Sequence, residues 1–162
     1  MKFDFYASDL HFRHLNILEF EPKRPFENID EHDQAIISNW NARVQPNEKC
    51  LILGDLAFNI GLPLVGQLNG EKVLIMGNHE HKNIKEYLHY FTDIKSYVED
   101  KKRGILFSHI PVHECQLERW KCNVHGHTHS FSLPDKRYVN ISMEQIDYAP
   151  ISHAELMERI NA

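Results

Sequence analysis

Short, continuous runs of apolar residues constrain the fold of this chain more than any other feature. Residues 50–53 read Cys-Leu-Ile-Leu and residues 73–76 read Val-Leu-Ile-Met, and each run stops at a glycine followed by a polar residue. Uninterrupted apolar character predicts strands buried on both faces, because a strand with one wet face alternates apolar and polar residues. Further strand-like segments cover residues 2–8, 104–107, 122–124 and 137–142. They alternate with helix-like segments, which indicates an α/β fold.

Three helix-like segments accompany these strands. Residues 30–43 carry apolar residues at three- and four-residue spacing, with Asp30 as the expected N-cap. A second helix is expected from Asn83, with an apolar stripe of Ile84, Tyr87, Leu88 and Phe91. Ser152 and Glu155 have the spacing of a capping box and predict a closing helix. The 162 residues contain no repeat or linker, so we expect a single domain over residues 1–162.

The charge balance, the lack of a long apolar run and the cysteines indicate which partners and which location to expect. Lysine and arginine number 18 against 23 acidic residues, and a net charge of −5 disfavours extended nucleic acid unless a local cationic groove binds it. No apolar run approaches the ~20 residues of a membrane span, and no secretory signal is present at the N-terminus, so we expect no membrane association. Three cysteines without paired spacing are typical of reduced thiols and predict a cytoplasmic location. The pattern leaves the oligomeric state open.

Side chains able to bind a metal ion follow five of the predicted strands. In chain order they are Asp9 with His11, Asp55, Asn78, His109, and His127 with His129. Because ligand crevices of open α/β sheets lie outside the carboxyl ends of the strands, we expect these residues to converge at one sheet edge. Each group alone is compatible with a turn or a buried histidine. Turn chemistry does not explain why such residues follow five strands in succession.

The residue types indicate which ions this site would bind. Carboxylate, amide oxygen and imidazole without thiolate suit Mn²⁺, Fe²⁺, Zn²⁺ or Mg²⁺. Seven positions are too many for one tetrahedral ion and predict two ions about 3.5–4 Å apart that share a carboxylate. Asp55, in the middle of the set, is the natural bridge. The positive charge of two divalent ions is larger than the negative charge of the Asp9 and Asp55 carboxylates. The site is therefore expected to attract an anion such as phosphate.

The complete set resembles the calcineurin-like metallophosphoesterases. That family's pattern of D-x-H, G-D, G-N-H-[DE], H and G-H-x-H occurs here as Asp9-Leu10-His11, Gly54-Asp55, Gly77-Asn78-His79-Glu80, His109 and Gly126-His127-Thr128-His129. The match extends over residues 9–129, and residues 8–17 are similar to the short single-domain bacterial and phage members. The resemblance implies a four-layer α/β/β/α sandwich of two mixed β-sheets flanked by helices.

The resemblance also implies a role for each matching residue. One ion would be held by Asp9, His11 and His129, the other by Asn78, His109 and His127, with Asp55 bridging the two. His79 would bind no metal and would stabilise the transition state or protonate the leaving oxygen. Arg13 and His14 follow the first ligands directly, and we expect them to contact the substrate phosphate. Mn²⁺ is the expected ion, with Fe, Zn, Mg, Ni and Co as alternatives.

The expected activity is hydrolysis of a phosphate ester by attack of a metal-bridging hydroxide. The family's protein phosphatases extend the second motif as G-D-x-x-D-R-G, whereas Asp55 is followed here by Leu56-Ala57-Phe58-Asn59. The missing acid and arginine disfavour phosphoprotein substrates and favour a phosphodiester or a nucleotide-like small molecule, and they leave open what orients His79. Two alternatives remain: a phosphomonoesterase of the same fold, and a metal-binding scaffold without catalysis.

Overall fold

Two mixed β-sheets form the centre of the protein in a computed structural model that describes residues 2–80 and 84–162. The first sheet contains β1 (Phe5–Ala7), β2 (Lys49–Ile52), β3 (Glu71–Ile75), β4 (Asp93–Lys95) and β9 (Ile151–Ser152). Its strand order is β4-β3-β2-β1-β9, and β9 runs antiparallel to β1 while the other pairs are parallel. Every residue of β2 and β3 after the first is buried, as their apolar runs predicted.

The second sheet contains β5 (Val98–Asp100), β6 (Ile105–Phe107), β7 (Cys122–His125) and β8 (Tyr138–Asn140). Its strand order is β5-β6-β7-β8, with β5 antiparallel to β6 and the remaining pairs parallel. The sheets contact each other where the ring of Tyr6 stacks on that of Phe107, with centroids 5.5 Å apart. A parallel bridge between Ser8 and Ser142 joins them again beyond β1 and β8.

Helices flank the sheets: α1 (Ile17–Phe20), α2 (Ile29–Arg43), α3 (Ile84–Tyr87) and α4 (His153–Asn161). Short 3-10 helices cover Asn59–Gln67, Glu114–Glu118 and Met143–Gln145. The N-cap of α2 is Asn28, whose side chain accepts from the Glu31 N–H, and not the predicted Asp30. The capping box of Ser152 and Glu155 at the start of α4 is confirmed, with both of its hydrogen bonds present.

The helix α2 buries an apolar face beside the first sheet. Ile36 and Trp40 are fully buried, and the indole N–H of Trp40 donates to the carbonyl of Asn69, just before β3 (3.0 Å). Arg43, in the last turn of α2, forms an ion pair with Glu155 of α4. Apolar burial therefore holds α2 in place, and the ion pair shows that its last turn lies beside α4.

The segment predicted as an amphipathic helix after residue 83 differs from expectation. Only α3 is helical, and the expected cap Asn83 lies outside the described residues. Tyr87 and Phe91 are buried as predicted, whereas Ile84 and Leu88 are 44% and 57% exposed. The stripe prediction is wrong for these two residues, because a single turn is too short to present a continuous face.

The predicted fold class is confirmed: the protein is an α/β structure of two mixed sheets with flanking helices. Within residues 2–80 and 84–162, no helix combines the length and the apolar character that crossing a membrane requires.

Candidate metal centre

The polar residues that follow five strands converge where the carboxyl ends of the two sheets meet. Asp9, Asp55 and Asn78 follow β1, β2 and β3 of the first sheet. His109 follows β6, and His127 follows β7, both in the second sheet. The prediction of convergence is therefore correct, but the expectation of a single sheet edge is wrong. Parallel pairing within each sheet aligns the strand ends, and the packing of the sheets brings the two edges together.

Two groups of side chains have the geometry to hold one ion each. The groups are Asp9, His11 and His129, and Asp55, His109 and His127; within each group, one ligand atom per residue lies within 4.8 Å of the others. The amide oxygen of Asn78 lies 2.9 Å from His109 Nε2 and so joins the second group. The structure thus brings together all seven predicted ligand positions, whose role as ligands stays a prediction.

Asp55 belongs to the second group and also faces the first. Its Oδ2 is 3.4 Å from Nε2 of His109 in one group and 3.8 Å from Nε2 of His11 in the other. Its Oδ1 accepts from the backbone N–H of His79 (3.1 Å). One carboxylate therefore faces imidazole nitrogens of both groups, as a bridging ligand has to.

Two imidazoles show that this donor set fits a bound cation. His109 Nδ1 donates to the carbonyl of Leu53 (2.7 Å), because a carbonyl can only accept. In the neutral ring Nε2 is then an acceptor, yet it faces the acceptor oxygen of Asn78. A proton or a metal ion between them resolves this conflict. His11 Nε2 is buried and has no hydrogen-bond partner among the described residues, which again fits a nitrogen kept for a metal.

Burial and neighbouring charges set the pKa values of these groups. Burial lowers the pKa of His11 well below its ordinary value, and nearby Arg24 and His129 add to the effect. Burial also opposes the charge of His109, but the hydrogen bond to Asp55 and the charges of Asp9 and Asp55 outweigh it and raise its pKa to about 9. The same bond lowers the pKa of Asp55 despite burial. A bound ion would replace the proton on His109.

The site concentrates unusual backbone geometry. Eight non-glycine residues among those described have a positive φ, and six of them belong to this region: Asp9, His11, Arg13, Asp55, His127 and His129. Left-handed backbone at such residues costs about 1 kcal/mol each. It persists where the surrounding structure holds it, and it clusters at functional sites.

His79 lies beside the two groups and belongs to neither. It is partly exposed, and its Nε2 is 3.7 Å from Asp55 Oδ2. Glu80 does not orient it: the Glu80 carboxylate accepts from the backbone N–H groups of Asp55 (3.0 Å), Leu56 (2.7 Å) and Gly77 (2.6 Å). Glu80 thereby braces the turn that carries the bridging carboxylate. The ring of Phe58 lies against that of His79, with centroids 4.7 Å apart.

Arg13 and His14 lie next to the site but have protein partners. The Arg13 guanidinium pairs with Asp30 and with Asp33 (Nε to Oδ2, 3.2 Å). His14 Nδ1 is 3.1 Å from His11 Nδ1, so His14 also orients a predicted ligand. Burial, with the charge of nearby His79, lowers the pKa of His14 to about 4. Contact of Arg13 and His14 with substrate stays a prediction.

Two further residues of the site were not predicted. The Glu144 carboxylate accepts from His129 Nδ1 (3.0 Å) and from the buried Arg24 guanidinium (2.7 Å). Glu144 comes shortly after β8, so the strand-end pattern that located the ligands could have located it as well. No signal in a single sequence marks Arg24, because its partners come from distant segments.

No protein-family model matches the chain. The crystal structure of AQ665, a protein of unknown function from Aquifex aeolicus, superposes with a TM-score of 0.77 at 27% identity, over 95% of this chain and 97% of that one. An archaeal phosphodiesterase superposes with a TM-score of 0.50 at 16% identity, over 85% of this chain and 81% of that one, which shows a shared fold.

A sequence relative also matches most of the chain. The uncharacterized protein MJ1445 from Methanocaldococcus jannaschii is 31% identical over 157 residues, which cover 90% of this chain and 84% of that protein. The aligned region includes most of the strands that carry the site. This protein therefore belongs to the family of MJ1445.

Proposed function

We propose that this protein is a metal-dependent phosphoesterase of the calcineurin-like superfamily that hydrolyses a phosphodiester or a nucleotide-like small molecule. The observation that carries the proposal is the pair of His/Asp groups, in which Asp55 of one group also faces His11 of the other. The shared fold with an archaeal phosphodiesterase supports it. The three free cysteines, of which two are buried, are consistent with action in the cytoplasm.

Each group of residues has a task in this reaction. Asp9, His11 and His129 would hold one divalent ion, and Asn78, His109 and His127 the other, with Asp55 shared. Such ions, with Mn²⁺ as the expected one, activate water and offset the charge of a phosphoryl group. The Nδ1 of His109 donates to Leu53 and keeps the ring in the tautomer whose Nε2 faces the site.

His79 is the residue that we assign to the reacting ester. Its side chain is 35% exposed, so a bound substrate can reach it. Its backbone N–H donates to Asp55, which fixes the segment next to the bridging carboxylate. From this position the imidazole can donate to a phosphoryl oxygen or to the leaving oxygen. Arg13, whose side chain is 31% exposed, is the nearby cation that we assign to the phosphate.

An aromatic wall beside His79 supports a substrate with a flat or apolar group. The wall consists of His14, Phe20 and Phe58. The rings of His14 and Phe58 are stacked with centroids 3.9 Å apart, and the ring centroid of Phe20 is 6.0 Å from that of His14. The side chain of Phe20 is 65% exposed, although it is apolar. Exposed apolar side chains at a site favour a ligand with a matching face, such as a nucleobase.

The test compares esters and ions on the purified protein. After removal of metal with EDTA, we expect Mn²⁺ to restore hydrolysis of bis(4-nitrophenyl) phosphate and of some nucleotide diesters. A stronger reaction with 4-nitrophenyl phosphate would favour the phosphomonoesterase instead. A protein that binds two ions but hydrolyses no ester in a panel of diesters, cyclic nucleotides and monoesters would be the scaffold, and our proposal would be wrong.

Two variants test the assigned roles. Asp55→Asn is expected to abolish activity and weaken metal binding, while Asp135→Asn, at an exposed ion pair with Arg137, should change neither. His79→Ala is expected to lower kcat about 100-fold or more and to leave both ions bound. Full activity of Asp55→Asn would refute the bridging role. Loss of an ion from His79→Ala would identify His79 as a ligand.

A further inference from the structure

A chain of buried charged and polar side chains leads away from the first metal group. Its members are Glu144, Arg24, His32 and Asp33, and each side chain is at most 2% exposed. Taking such groups out of water is costly, and apolar residues of similar size often stabilise a fold equally well. Their presence next to the site therefore calls for a role other than bulk stability.

Arg24 is the centre of this chain. Its Nε donates to Glu144 Oε1 (2.7 Å) and its terminal nitrogens to the carbonyl of Asp9 (2.9 Å) and towards His32 Nε2 (2.5 Å). The contact with Asp9 matters because that residue has a φ of 60°. Arg24 thus holds the backbone of one predicted ligand in an unfavourable conformation.

Glu144 holds the side chain of another predicted ligand, His129, in place. Its Oε1 accepts from His129 Nδ1 at 3.0 Å, so the proton of the neutral imidazole stays on Nδ1. His129 Nε2 is then the free nitrogen, and it faces Asp9 Oδ1 at 4.0 Å. Carboxylates that hold a metal-binding histidine in this way fix the ring and strengthen its basicity. The same Glu144 oxygen accepts from Arg24, so one residue pair fixes both Asp9 and His129.

The other end of the chain reaches the mouth of the site. His32 Nδ1 lies 2.9 Å from Asp33 Oδ1, and Asp33 Oδ2 lies 3.2 Å from Arg13 Nε. Asp33 Oδ1 also faces the Arg13 backbone N–H at 3.4 Å. Both buried residues belong to the first turns of α2, so the helix anchors the chain.

We propose that Arg24 and Glu144 are positioning residues that set the affinity of the first metal group, Asp9, His11 and His129. The inference rests on the proposed function, because it presumes that this group binds an ion. It assigns no contact with substrate to either residue. The second group, Asp55, Asn78, His109 and His127, has no contact with Arg24 or Glu144 among the hydrogen bonds of the described residues and serves as an internal reference.

The experiment measures Mn²⁺ binding to the metal-free protein by isothermal titration calorimetry, with the bound metal counted by elemental analysis. We expect Glu144→Ala to weaken one of two sites by about 10–100-fold and to leave the other within about twofold. Glu144→Gln keeps an acceptor for His129 and should recover part of the affinity. Glu155→Ala removes a carboxylate that pairs with Arg43 far from the site and should change neither affinity.

The imidazole signals give a second readout, independent of activity. In ¹⁵N-resolved spectra of the metal-free protein, we expect the Nδ1–H form of His129 in the wild type and a loss of that preference in Glu144→Ala. Circular dichroism verifies that each variant is folded. If Glu144→Ala does not fold, Glu144→Gln carries the test, with an expected loss of about 10-fold at one site.

The outcomes separate the inference from the function on which it rests. Two wild-type sites together with unchanged affinities in the Glu144 variants would refute the positioning role and leave the proposed function intact. A weakening of both sites by equal factors would refute it too, since Glu144 contacts one group only. A wild-type protein that binds no divalent ion would refute the proposed function, and the inference with it.

Discussion

Removal of the buried cation Arg24 should destabilise the protein far more than removal of an exposed arginine. In Arg24→Met the substituted side chain is nearly as long, so little cavity results. The substitution leaves Glu144, which is 2% exposed, without its cationic partner. It also deprives the Asp9 carbonyl of its bond from Arg24.

The magnitude follows from this burial. Breaking a buried ion pair by removing one partner costs about 3–5 kcal/mol, because the remaining charge is left uncompensated. At about 2–4 °C per kcal/mol for a domain of this size, the melting temperature should fall by about 6–20 °C. The matched control is Arg43→Met, whose pair with Glu155 is 35% and 40% exposed. Exposed pairs contribute at most about 1 kcal/mol, so the control should lose little.

Urea unfolding followed by circular dichroism at pH 7 gives both free energies of unfolding. EDTA in every sample removes the contribution of bound ions, which would otherwise stabilise the folded state. A third variant adds Glu144→Gln to Arg24→Met. It should recover part of the loss, because the uncompensated charge is then absent. Equal losses for Arg24→Met and Arg43→Met would show that burial does not determine the cost, and our reasoning would be wrong.

Two further predictions concern a glycine next to the predicted ligand Asp9 and the closing helix. A Cβ on Gly126 would overlap Ser8 Oγ and Asp9 Oδ2, so Gly126→Ala should cost about 1–3 kcal/mol in urea unfolding and weaken Mn²⁺ binding. The control is Gly66→Ala, where a Cβ would meet only the ring of Tyr90. Equal losses of stability in Gly126→Ala and Gly66→Ala would contradict the predicted overlap. The hydrogen bond from Arg43 lowers the pKa of Glu155 from 4.5 to about 2 against the effect of burial. The ionised group therefore stabilises the fold above pH 4.5 and loses this effect as the pH falls towards 2. Glu155→Gln should accordingly be less stable than wild type at pH 7, and most of that difference should be lost at pH 2.5, close to the folded-state pKa; an unchanged difference would exclude this linkage.

The central strands were predictable because they are uninterrupted apolar runs. The run at residues 50–53 became β2 and the run at residues 73–76 became β3, each shifted by one or two residues. The strands β4, β5 and β9 were not predicted. They have two or three residues, and β9 is a strand only because it pairs with β1. Such short segments carry no periodic signal of their own, since their partners decide their conformation.

The candidate ligands were predictable for a related reason. A polar residue directly after a buried strand has its backbone held by the strand, and parallel pairing aligns the strand ends. Asp9, Asp55 and His109 fit this rule, and each lies in the cluster. The rule does not reveal that the ends belong to two sheets. That arrangement depends on contacts such as the Tyr6–Phe107 stack between strands about a hundred residues apart.

The amino-acid sequence by itself determined the α/β class and the run of strands that are followed by side chains able to bind a metal ion. Only the tertiary structure decided which of these side chains face each other, and that Arg24, Glu144 and Asp33 are buried. In isolation a charged residue is expected at the surface, because water solvates it best. Whether it is buried depends on partners that distant segments supply, and the residues adjacent to it in the sequence do not predict these partners.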